Sequence, residues 1–178
     1  MSRLNTPLVR IAVRYGAIAG ILALAFVIAA YYAGTSPFFI PPYLDLRVLL
    51  IALLGFMTLK EVRDYHYNGI LYFWQGLIAC FILVTTLAVV SGCGIQLFGR
   101  WEEQFIPQYV QQATERINGL PPEAVQELGQ TAIDEARRSL ASLTVDRMAF
   151  KYASQTYILG LFISIIISVI LRKQPNPS

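Results

Sequence analysis

The sequence predicts an all-α integral membrane protein: a four-helix bundle with an extracytoplasmic pair of amphipathic helices between spans 3 and 4. Three observations carry this reading. The 178 residues are 56% hydrophobic, with a mean hydropathy of +0.53. Only 14% are Asp, Glu, Lys or Arg, against roughly a quarter in soluble domains. Those charges also leave long gaps: none lies between Arg14 and Asp45, between Asp64 and Arg100, or between Lys151 and Arg172. A helix crossing a bilayer needs about 20 mostly apolar residues, and gaps of this length supply them. The length fits one domain, residues 1–178.

The first span is expected at about 15–34, preceded by Arg3, Arg10 and Arg14. It is longer than a signal-peptide core, and "AAYYAGTSPFF" offers no convincing cleavage site, so it reads as a retained anchor. "TSPFFIPPY" then breaks the chain, and Pro42 is placed to open the next helix. The second span, about 43–60, is the shortest. Its charge-free centre runs only from Val48 to Leu59, so it spans if Arg47 and Lys60 snorkel outward, the competing reading being a re-entrant or tilted segment. The third, about 70–97, follows the turn pair Asn68-Gly69. The fourth, about 152–171, is closed by Arg172-Lys173. Trp74, Tyr72, Trp101 and Tyr152 fall near span ends, where an aromatic belt belongs.

Between spans 2 and 3 lies a polar knot, Lys60-Glu61-Val62-Arg63-Asp64-Tyr65-His66. The N-terminus, the knot and the C-terminus hold seven bases and two acids, a balance of +5; the rest of the chain holds seven bases and nine acids, −2. The positive-inside rule then places both termini and the knot on the cytoplasmic side of a multi-pass membrane protein. In the knot, Lys60, Arg63, Asp64 and Asn68 are expected to form either a network that fixes the turn or a contact with anionic lipid. Arg63 and Asp64, as helix neighbours, should point apart and use other partners.

The outer segment, about 101–146, carries helix grammar: Pro107 starts one helix ending at Asn118-Gly119, and Pro122 starts a second. Phe105, Ile106, Tyr109, Val110, Ala113 and Ile117 share one face of the first. Val125, Leu128, Ala132, Ile133, Ala136, Leu140 and Leu143 share one face of the second, drawn as continuous. Such helices lie on the membrane, cap the bundle, or pair with a partner.

In lipid, helices associate through small residues that allow close approach. Gly16 and Gly20 on span 1, and the ladder Thr156, Gly160, Ser164 and Ser168 on span 4, are the packing candidates. They serve either packing within one bundle or a homo-oligomer seam along span 4.

Catalytic chemistry is not indicated. His66 is the single histidine, and the two cysteines, Cys80 and Cys93, lie thirteen residues apart on one expected helix, about 220° around it. No nucleophile motif, phosphate-binding glycine loop or metal spacing is present. No cofactor is called for, and the net charge of +3, without a basic run, argues against nucleic acid. Proton- or ion-coupled carriers place ionisable groups at mid-membrane. Here the polar candidates are Gln75, Thr85 and Thr86, each able to bond locally.

Several segments, in order, resemble the small bacterial membrane proteins grouped as domain of unknown function 4199, found mostly in Bacteroidetes. They are "YGAIAGILAL", "LLGFMTLKEVRDYHYNGILYFWQGL", "FIPQYVQQ" and the closing basic pair. Where that family usually follows its Gly-Ile-aromatic stretch with an acid and Ala-Leu, this chain has "FWQGL". The resemblance implies four spans in a bacterial inner membrane and no known activity. The expectation is therefore a non-enzymatic structural or accessory protein that contacts the lipid bilayer and packs with itself or a membrane partner. The alternative is a small transporter or channel component acting as an oligomer.

Overall fold

The computed structural model describes residues 6–40 and 45–173. The chain is all-helical in its regular elements. In order these are α1 (Thr6–Tyr32), a 3-10 turn (Pro37–Phe39), α2 (Leu46–Glu61), a π-helical turn (Val62–His66), α3 (Phe73–Trp101), α4 (Phe105–Asn118), α5 (Pro122–Leu128), α6 (Gln130–Ala141) and α7 (Val145–Leu171). The expected opening of the second span at Pro42 and Tyr43 falls outside the described residues.

Among the described residues three helices are long and apolar enough to cross a membrane: Pro7–Tyr32, Phe73–Trp101 and Val145–Leu171. Each extends beyond the charge-free stretch that announced it. The extra turns carry charged residues such as Arg10, Arg14 and Asp146, which a helix tolerates once it leaves the hydrocarbon. The second expected span, α2, has 16 residues, about 24 Å at 1.5 Å per residue, and is shorter than a roughly 30 Å hydrocarbon core.

α3 is the central helix. It packs along α1 on one side and α7 on the other, while α2 contacts all three. The close fits are made where side chains are missing. A Cβ on Gly16 would stand 2.6 Å from the Leu83 carbonyl oxygen and 2.7 Å from Thr86 Cβ; one on Gly20 would stand 2.7 Å from Val90 Cβ. On the other side, a Cβ on Gly160 would lie 2.5 Å from Val84 Cγ1. Thr156, Ser164 and Ser168 are buried along the same α7 face. The small-residue ladder of the fourth span is thus occupied within the monomer by α2 and α3, and does not form an outward seam. Ser164 and Ser168 place their hydroxyls beside the Cys80 thiol, and neither bonds to nitrogen or oxygen among the described residues.

The outer segment forms three helices, not two. Gly129 adopts φ +78°, a left-handed conformation suited to glycine, and divides the second expected helix into α5 and α6. α4 is seated on the bundle end by aromatic rings. Phe105 meets Tyr31, Phe98 and Phe38 edge-on, with centroids 5.6, 5.3 and 6.3 Å away. Phe38 also meets Tyr109 and Tyr152. α6 packs on α4 through a single fully buried side chain, Ile133, and Arg137 donates to Asn118 Oδ1 at 3.0 Å. The apolar face of α4 therefore rests on the bundle end through Phe105, Ile106 and Tyr109, while α6 packs on α4 and α5 on α6, where Leu128 remains 57% exposed.

Candidate functional site

Of the polar groups inside the helix packing, the most elaborate set is Asp45, Arg47 and the facing stretch of α7. Asp45 precedes α2 with an extended backbone (φ −69°, ψ 136°), and its Oδ1 accepts from the Arg47 N–H at 2.9 Å as an N-cap. Its Oδ2 accepts from Arg47 Nε at 2.8 Å and from Arg47 Nη2. The guanidinium then reaches away from lipid, into α7. Nη1 donates to the Tyr152 carbonyl and to Thr156 Oγ1, both at 3.0 Å, and Nη2 approaches Gln155 Oε1 at 3.5 Å. Thr156 Oγ1 in turn donates to the Tyr152 carbonyl at 2.8 Å.

Arginine has five N–H donors in a fixed fork, and here each has an acceptor. The flat face of the guanidinium lies 3.9 Å from the Tyr152 ring centroid, adding a cation–π contact. The Asp45 and Arg47 side chains are 9% and 5% exposed. Formal charge inside the site cancels, which is what makes burial at this depth affordable.

Arg47 therefore departs from expectation: it does not snorkel outward. In the first turn of α2, with a carboxylate two residues behind it and the Tyr152 carbonyl and Thr156 hydroxyl able to accept across the helix interface, the inward route satisfies every donor. The signal available in the sequence was an Asp in N-cap position two residues before an Arg. Asp45 and Arg47 thus form the candidate site, and no sequence motif marks them.

At the opposite end of α2, Glu61 accepts from Arg14 Nη2 at 2.7 Å on both oxygens and from the Tyr15 hydroxyl at 2.8 Å. This ties α2 to α1. The Arg14–Glu61 pair is open to solvent, 56% and 24% exposed, and such pairs contribute about 0–1 kcal/mol.

The knot residues then follow. Arg63 Nε donates to Asp64 Oδ1 at 2.7 Å, so these two neighbours pair with each other. In the wider π turn, successive side chains are splayed less than in an α-helix, and the arginine stem folds back across the gap. Asn68 and Gly69 both take positive φ, +50° and +79°, and the Gly69 N–H closes on the Arg63 carbonyl at 2.9 Å. Leu71 and Lys173 exchange two backbone hydrogen bonds, 3.0 and 2.9 Å, which fasten the end of α7 to the turn. Lys60 and Lys173 both act on Asp64 at longer range. Of the four knot residues, then, Arg63 and Asp64 pair with each other, Asn68 supplies a positive-φ position in the turn, and Lys60 contributes charge.

Asp64 is held below its usual value of 3.8, first by the hydrogen bond from Arg63 and then by the neighbouring positive charges. A carboxylate depressed on folding supports the turn fully above its unfolded pKa and loses that support as pH falls through the folded one. An NMR titration of the Asp64 carboxyl carbon is expected to give a midpoint below 3.8, moving upward in Arg63→Gln. An unchanged midpoint would show that the ion pair does not persist in solution.

Gln75 accepts from the Tyr72 N–H at 3.1 Å, and Thr85 and Thr86 donate to the carbonyls four residues back at 2.8 and 2.9 Å. All three bond locally. Among the described residues no group of three or more His, Cys, Asp or Glu stands close enough to hold a metal.

A family model described as "Protein of unknown function (DUF4199)" matches residues 14–173. No curated protein and no solved structure matches the chain.

Proposed function

Given that the chain belongs to the DUF4199 family, whose description names no activity, we propose that it is a non-enzymatic accessory protein of the bacterial inner membrane, packing with itself or with a membrane partner. In this reading it crosses the bilayer four times, with both termini and the Lys60–Asn68 turn cytoplasmic and α4–α6 outside.

The observation that carries the reading is that the charged side chains at the two ends of α2 are engaged in joining helices. Asp45 and Arg47 are spent wholly on joining α2 to α7, and Glu61 on joining α2 to α1. A carrier would keep such groups poised to exchange a proton or ion; here their bonding is complete.

The fourth crossing is α2. Leu49, Leu53, Phe56 and Met57 form a stripe along one face, exposed by 61, 55, 42 and 43%. A stripe of this kind is out of place in water and natural in lipid. With Arg47 and Glu61 drawn into protein contacts, the helix needs only modest local thinning of the bilayer to fit.

Cysteine labelling tests the topology. In a chain with Cys80 and Cys93 replaced by serine, His66→Cys should react only with reagent on the cytoplasmic side, and Asp134→Cys only with reagent on the outer side. Labelling of both from one side would overturn the four-span arrangement. Crosslinking in native membranes tests the accessory role, and a chain that never yields a linked species would defeat it.

A further inference from the structure

α3 and α7 separate on the surface of the molecule to leave a groove of about 510 Å³, within the range of roughly 300–1,000 Å³ typical of small-molecule clefts. Trp74, Ile78 and Phe81 form one wall; Tyr157 and Leu161 form the other. Gly160 and Val84, packed closely against each other, lie at its floor. No charged residue lines it. The Phe81 and Tyr157 rings, 6.3 Å apart, bound it at one end.

At the other end the chemistry changes. Arg172 follows Leu161 by eleven residues, three helical turns with an offset of only about 20°, so it returns to the groove's side of α7 just past the helix end. It is exposed, and no acid among the described residues pairs with it. Trp74, 69% exposed in the first turn of α3, is suited to the interfacial layer. From Tyr157 to Arg172 the helix advances about 22 Å, close to half the roughly 40–45 Å thickness of a whole bilayer including headgroups.

An uncharged slot with an exposed arginine beyond its end on the same side of α7, paired with no acid among the described residues, is complementary to one kind of molecule. We propose that the α3–α7 groove binds a single anionic phospholipid, with an acyl chain along Gly160 and Val84 and the headgroup phosphate on Arg172. Guanidinium binds phosphate through paired N–H donors, which separates this site from the unselective lipid contact of any span.

The two tryptophans, Trp74 and Trp101, make the test direct. In a Trp101→Phe chain, Trp74 reports alone on the groove. The full chain is placed in phosphatidylcholine vesicles containing either phosphatidylcholine or phosphatidylglycerol brominated near the 6,7 positions of one chain. Phosphatidylglycerol is expected to reach half-quenching at about a fivefold lower mole fraction, the effect of one basic residue at an anionic surface. Arg172→Gln should equalise the two lipids, Arg172→Lys should keep most of the preference, and Arg10→Gln, on exposed α1, should keep all of it. Leu161→Phe, which fills the slot, should weaken quenching by both.

Equal potency in the parent chain would overturn the proposal, leaving ordinary boundary lipid. Loss of preference in Arg10→Gln to the same extent would reduce it to general surface charge. Absence of quenching by either lipid would mean that a helix of a second copy or another protein covers the groove. Unaltered quenching in Leu161→Phe would place the chain elsewhere.

Discussion

Arg47→Ala is expected to destabilise the protein by about 3–5 kcal/mol, the cost of stranding one member of a buried ion pair. Asp45 would keep its carboxylate in a site 9% exposed with only the Arg47 backbone N–H as donor. The Tyr152 carbonyl and Thr156 hydroxyl would lose the cation that crosses from α2, and the Tyr152 ring would lose its cation–π partner. The double variant Asp45→Asn, Arg47→Met should recover much of the loss, since removing both charges removes the stranded one. Denaturant-induced unfolding in mild detergent, followed by circular dichroism, provides the measurement. Equal losses in the single and double variants would mean that the pair matters through shape and not through charge. The accompanying structural effect is specific: α2 should detach from α7 at its Asp45 end while remaining held to α1 through Glu61.

Gly16→Ile should be comparably damaging, at or beyond the upper end of the roughly 1–3 kcal/mol that overpacking costs. The obstacle is main chain: the new Cβ would fall 2.6 Å from the Leu83 carbonyl oxygen, which has no rotamer to yield. α1 and α3 must part along the whole seam that also includes Gly20 and Val90. Gly92→Ala is the matched control, because its nearest neighbour would be Ala153 Cβ at 3.9 Å, an ordinary contact. Gly160→Ile belongs between these, since it meets the Val84 side chain at 2.5 Å and that side chain has some freedom to turn. If Gly16→Ile and Gly92→Ala proved equally mild, the α1–α3 packing described above would be wrong.

The long helices were legible because hydrocarbon imposes a blunt rule: charge is excluded over about 20 residues, and the exclusion is written directly in the sequence. The polar turn was legible for the same reason, and Asn68-Gly69 was legible as a turn pair, which the structure places at positive φ. The local hydroxyl and amide bonds of Thr85, Thr86 and Gln75 needed no partner beyond the neighbouring turn of helix. The division at Gly129 was hidden because a glycine within an amphipathic pattern is compatible with either a continuous helix or a break, and the apolar arc runs across it undisturbed.

The direction of a charged side chain was the hardest thing to read. Arg47 has enough stem to reach either the interface or the protein interior, and the choice depends on what stands opposite. The acceptors are Tyr152 and Thr156, more than a hundred positions away. Arg63 and Asp64 were misjudged for a smaller-scale reason: the turn they occupy is π-helical, and neighbour geometry taken from an α-helix does not hold there.

Composition and charge spacing by themselves determined that this chain is helical, lives in lipid, and turns at a polar knot, because those properties follow from solvation of each residue in its own stretch. Only the tertiary structure decided that the α7 ladder faces inward, that Arg47 clamps α2 to α7, and that a slot opens beside Gly160 toward Arg172. Each of these depends on which surfaces meet, and that is fixed by helices distant in sequence pressing together until glycine, backbone carbonyl and guanidinium find a common fit.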